Sequence, residues 1–216
     1  MRNKSERFIV ALAAAMAAFM LAVLPAGAAA ASYQDLLAQA KSNSATADLR
    51  ALREAYAESA QYNPYDGKEG GLRNAMVAAF GQQDCDAAMK NAQAILDNNY
   101  VDIDSHIVME RCYRRLHKQL EATHHGLMAR GLIRAVMATG DGKSPKTAFV
   151  VISIAEEYVV LGVLGLMKMR QAISQADGHR YDLMTARNKS GATENIYFQI
   201  DRLFDWWTKN NQKRQP

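Results

Sequence analysis

Past residue 31, apolar positions recur at helical spacing through the first two-thirds of the chain. Leu49, Leu52 and Tyr56 fall at i, i+3, i+7, and Ala88, Ala92 and Ile95 at i, i+4, i+7. Val108, Cys112, Leu116 and Leu120 keep a four-residue step, and Leu132, Ile133, Val136 and Met137 close the series. These stripes predict core faces of helices, with 84–98 and 104–120 antiparallel and joined near Tyr100. Pro64 and the glycines of YNPYDGKEGG break the chain after the first of these helices, and Gly140, Asp141 and Gly142 stop the last. The period then changes. TAFVVISI at 147–154 is β-branched and aromatic and reads as a buried strand. The run 159–167 mixes glycines that weaken a helix with valines that favour a strand, and is read as a short helical turn feeding the next strand. Runs 169–175 and 179–186 flank Asp177-Gly178, a hairpin signal, and a polar stretch with Gly191 leads into the strand NIYFQID. An amphipathic turn with Phe204 and Trp207 ends the chain. Helices first and strands last predict an α+β fold: an N-terminal helical hairpin stack followed by a small antiparallel sheet of about four strands. The divisions are 32–139 for the helices, 140–201 for the sheet packed on them, and 202–216 for a tail.

Residues 1–31 read differently. Arg2, Lys4 and Arg7 precede an apolar run at 8–24, then Pro25 and the small residues AGAAAA before Ser32. This order predicts a cleaved export signal, with the cut between Ala31 and Ser32, and a periplasmic or secreted protein. Removing it takes three of the 26 basic and one of the 22 acidic side chains, so 23 and 21 remain and the net charge falls from +4 to +2. That balance gives no electrostatic case for nucleic acid or an anionic membrane as partner. No later apolar run is long enough to span a bilayer, so no membrane insertion is expected after cleavage, and the mature chain is read as a monomer. Cys85 and Cys112 come within a helical turn of level on the two antiparallel helices, which permits a disulfide in an oxidising compartment; buried free thiols are the alternative.

Three segments together, YNPY, GDGKS followed by TAFVVISIAEEYVVLGVLGL, and GHRYD followed by NIYFQID, resemble the family catalogued as domain of unknown function 4919, exported bacterial proteins. The resemblance spans 32–201 and implies a secreted helical part before a short sheet. It brings no established activity and no catalytic residues. The stretch 87–133 is more weakly similar to tetratricopeptide-type repeats, with small residues at Ala88, Ala92, Ala122 and Gly126 and an aromatic at Tyr113. It lacks the usual Gly and Pro punctuation at His117 and around Asn98.

Four constellations invite chemistry. His117, Glu121, His124 and His125, read on one continuous helix, place imidazoles and a carboxylate on one side, the donor set of a zinc site; a solvated helix face is the competing reading. Glu156 and Glu157 diverge too far to act as an acid/base dyad, and Ser153 three residues before Glu156 reads as a capping box. Glu157 with His179 and Asp182 would form a cleft for hydrolysis. Tyr62, Tyr65, Trp206 and Trp207 form either an aromatic platform for a peptide or sugar, or packing over the sheet and helices. GDGKS fails as a phosphate loop because Met137 stands where its first glycine belongs. No cofactor is implied. The sequence therefore points to a non-enzymatic protein- or peptide-binding accessory protein of the cell envelope, using the concave side of its helical stack, with an envelope hydrolase as the alternative.

Overall fold

The computed structural model describes residues 31–65 and 69–212; the predicted export segment, apart from Ala31, lies outside them. Short polar side chains open most of the early helices. Ser32 opens α1 (Tyr33–Ser42) through a reciprocal capping box with Asp35, and Asp48 opens α2 (Leu49–Glu58). After α3 (Glu69–Gly81), Asp84 opens α4 (Cys85–Asn98) and Asp102 opens α5 (Ile103–Arg115). The three aspartates accept from the backbone N–H of Ala51, Ala87 and Ser105 at 2.9, 3.0 and 2.8 Å. Each satisfies an orphan donor and stabilises its helix by about 1 kcal/mol. α6 (Gln119–Met137) completes the series and packs on both α5 and α2. A Cβ on Gly131 would strike the end of the Leu49 side chain, which would have to shift to make room where α6 approaches α2.

The predicted stripes hold through Cys112, break at Leu116 and Leu120, and resume with Leu132 and Val136 buried. Leu49, Leu52, Tyr56, Ala88, Ala92, Ile95, Val108 and Cys112 are all buried, whereas Leu116 and Leu120 are exposed. The cause is a chain break that no glycine or proline announces: α5 stops at Arg115 and His117 takes a left-handed φ of 58° before α6 begins. The expected continuous helix through His117 and His125 is therefore two helices meeting at a turn.

The second part begins with a 3-10 turn at Pro145–Thr147 and β1 (Phe149–Val150), far shorter than the expected strand at 147–154. Ser153 cuts it off by capping α7 (Ile154–Val163), a full helix where a short turn was expected. β2 (Met167–Ala176), β3 (His179–Arg187) and β4 (Thr193–Gln199) follow, with Asp177 and Gly178 both at positive φ in the β2–β3 turn. The sheet runs β1-β4-β3-β2. It is mixed rather than wholly antiparallel, because β1 lies parallel to β4. The tail is α8 (Asp201–Gln212), a helix rather than a turn, packed on β3. Buried side chains of helices and sheet, among them Tyr56, Met128, Leu132, Phe149 and Phe198, join in one core.

Candidate functional site

The four aromatic candidates divide by use. Tyr62 donates its hydroxyl to the Ile152 carbonyl at 2.8 Å, Tyr65 donates to the Leu203 carbonyl at 3.1 Å, and the Trp206 indole donates to the Tyr62 carbonyl at 2.7 Å. Tyr65 and Trp206 also pack with ring centres 5.7 Å apart. These three seat α8 and the chain after α2 on the rest of the fold. Tyr62 and Trp206 border an open cleft of about 600 Å³ with Glu58, Arg202, Asp205 and Lys209, but their polar atoms already serve the backbone. Trp207 is exposed and, among the aromatic rings of the described residues, packs only on Phe204.

The turn at His117 scatters the zinc set: His117 and Glu121 are exposed, whereas His125 is buried. His125 meets a residue the sequence reading missed, His106, with the two Nδ1 atoms 2.8 Å apart. His106 Nε2 lies 2.9 Å from the Tyr100 carbonyl, which only accepts, so Nε2 carries the proton. His106 Nδ1 must then accept, and His125 Nδ1 donate. Burial holds both rings neutral, lowering His106 to about 4 and His125, beside His106 and His124, to about 3. Tyr113 stacks on His125 at 5.6 Å, and His124 meets the Tyr100 hydroxyl at 2.9 Å. The cluster pins α5 to α6. Its signal in the sequence was position: His106 lies three residues after Ile103 and three before Met109, on the buried stripe. The Cys85–Cys112 disulfide ties the start of α4 to α5, with Cα atoms 5.3 Å apart across a separation of 27 residues. A loop of that size constrains the unfolded chain by about 3–4 kcal/mol in the chain-entropy account.

Helix α7 carries the most unusual chemistry. Its only charged side chains, Glu156 and Glu157, are both buried. Ser153 accepts from the Glu156 N–H at 3.3 Å, the first half of the expected capping box. The Glu156 carboxylate turns elsewhere: it accepts from Ile152 N–H at 2.8 Å and takes the Arg53 guanidinium of α2 in a two-pronged pair, 2.6 Å at each oxygen. Arg53 also donates to the Val150 carbonyl at 2.8 Å, so one ion pair joins α2, β1 and α7. Glu157 is 1% exposed and, among the described residues, neither of its oxygens has a hydrogen-bond partner; one oxygen of Asp182, on β3, is likewise unmet. Burial first, and then the Asp182 charge, push Glu157 up to about 9; burial also raises Asp182, opposed by its hydrogen bond from Gln171 and by Lys168. Above this pair Lys168 donates to the Tyr158 hydroxyl at 2.5 Å and to Gln171 at 2.9 Å, and Gln171 donates to Asp182. His179 does not join them. It is three residues from Asp182 on one strand, so it faces the other side of the sheet, and it pairs with Asp201 at 2.6 Å. The predicted trio is a duo.

With its charges inside, α7 shows solvent an uncharged arc. Ile154, Tyr158 and Val163 are exposed and Ala155 and Val159 half-buried. Among the described residues, seven of the eleven exposed large hydrophobics fall within 154–173: Ile154, Tyr158, Val163 and Leu164, then Met167, Met169 and Ile173 on β2. The other four are Val77, Leu116, Leu120 and Trp207. β2 is the last strand of the sheet, and its exposure reaches 61% at Met167 and 55% at Ile173.

No curated protein and no solved structure matches the chain. The family model described as Domain of unknown function (DUF4919) matches residues 26–209, nearly the whole length, and the chain belongs to that family.

Proposed function

We propose that this protein is an exported, non-enzymatic accessory protein of the cell envelope that binds another polypeptide through the outer arc of α7 and the adjoining strand β2. One observation carries the reading: α7 buries its only two charges and turns an uncharged, largely apolar arc to solvent. Apolar side chains gathered on an exposed helix face leave surface that a partner can cover. Each Å² of that arc removed from water by a partner is worth about 25 cal/mol. The docking face is thus placed on α7 and β2 rather than on the concave side of the helical stack, since helices α1 to α6 expose only Val77, Leu116 and Leu120 as large hydrophobics among the described residues. The hydrolase reading keeps Glu157 and Asp182 but loses His179 to Asp201.

Export is supported by the residue pattern of 1–31 and by a disulfide, which persists in oxidising compartments. The protein recovered from the envelope is expected to begin at Ser32, the residue that caps α1; an N-terminus at Met1 would contradict export with cleavage. For the docking face, the triple variant Ile154→Ser, Val163→Ser, Ile173→Ser changes only exposed side chains and is expected to keep the fold. Co-purification of the native partner should fall at least tenfold. Unchanged recovery would remove α7 and β2 as the docking face.

A further inference from the structure

We propose that the partner enters as an extended segment that adds a fifth strand beside β2, carrying apolar side chains on one face and acidic side chains on the other. This rests on the α7–β2 surface being the docking face. β2 is ten residues long and pairs with β3 alone, so its outer edge offers backbone donors and acceptors that no strand takes among the described residues. Proteins ordinarily shorten, cover or charge such an edge throughout. Here the first part is guarded by Lys168, Arg170 and a register shift between them, whereas 171–176 carries no charge.

Strand alternation sets what each face of the added strand meets. Asp182, Met184 and Ala186 of β3 form the buried face, and α7 lies on that side, since Glu157 senses the Asp182 charge and Tyr158 bonds Lys168 opposite Ala186. Side chains of a fifth strand on this face would lie against Ile173 and the aliphatic stem of Lys168, whose ammonium covers Tyr158 of α7. On the other face Arg170 stands opposite Thr185, and Arg187 lies two residues further along β3. Neither guanidinium pairs with a carboxylate among the described residues, and β2 itself has no acid to offer. Acidic residues on the incoming strand complement this face. A second copy of the chain supplies no such acid, because β2 itself carries no carboxylate to meet Arg170.

The test adds a ten-residue synthetic peptide alternating valine and glutamate, or one alternating valine and lysine, to the full protein and follows backbone hydrogen exchange. The glutamate peptide is expected to slow exchange about tenfold or more at every second amide of β2, with little effect from the lysine peptide. In the double variant Arg170→Glu, Arg187→Glu the preference should reverse. Equal protection by both peptides, or protection without the two-residue period, overturns the proposal. Protection that rises with protein concentration alone assigns the edge to a second copy, and protection by phosphatidylglycerol vesicles alone assigns it to a lipid surface; either result overturns it. If the triple serine variant loses the native partner while neither peptide protects β2, docking stands and strand addition falls.

Discussion

Replacing Arg53 by alanine is expected to lower the unfolding free energy by about 3–5 kcal/mol, because it strands a buried carboxylate. Glu156 is 4% exposed, and after the loss of both 2.6 Å contacts only the backbone N–H of Ile152 would face its charge. The Val150 carbonyl would lose its guanidinium donor in the same step. Arg53→Lys should fall between wild type and alanine, since an ammonium cannot grip both oxygens in a planar fork. The double variant Arg53→Met, Glu156→Met removes the charge together with its partner and should recover most of the loss. Urea unfolding of the four proteins measures this directly. A loss below about 1 kcal/mol for Arg53→Ala would show that the pair is a surface-like contact of little worth.

The second large effect is on pH. Glu157 holds its proton to about 9 in the fold, against 4.5 ordinarily, so between those values the native state binds a proton that the unfolded chain has lost. Its contribution is complete below pH 4.5 and declines as pH rises toward 9, by about 1.4 kcal/mol per unit. His106 and His125 act in the other direction. Their folded values are depressed from 6.5 to about 4 and about 3, so their contribution is complete above 6.5 and declines as pH falls. Where the ranges overlap, the lowered histidines, His124 with them, oppose the raised Glu157 and Asp182, and stability should peak in the neutral range and fall on both sides. Glu157→Gln removes the ionisable proton while keeping the shape, so its alkaline arm should be nearly flat and its acid arm unchanged. Parallel profiles for wild type and Glu157→Gln from pH 5 to 9 would sink this account of the site.

Local chemistry made much of the fold readable in advance. The α+β order follows from the change of hydrophobic period after Gly140, and the Asp177-Gly178 turn forms where two strand-like runs flank it. The misreadings share a physical cause, which is that local signals were overridden by neighbours. TAFVVISI has strand composition, yet Ser153 caps a helix and leaves only Phe149–Val150 in the sheet. His117 adopts a left-handed conformation that a non-glycine residue seldom takes, so nothing in its type announced the break. Arg53 and Glu156 are 103 residues apart, and no periodicity links them. The proposed docking face was hidden for a related reason. A pair of adjacent glutamates ordinarily marks the wet side of a helix; in α7 Arg53 takes Glu156 inward and Glu157 is buried beside Asp182 with its proton held, so the uncharged residues are left outside.

That inversion is the centre of the account, and site-specific photocrosslinking tests it most directly. A photoreactive side chain placed at Ile173, on the edge strand, is compared with one at Val77, which is equally exposed on α3. In the envelope of the native cell the first position is expected to yield a discrete protein adduct, and the second none above background. Equal adducts from both positions, or an adduct from Val77 alone, would contradict a docking face on α7 and β2.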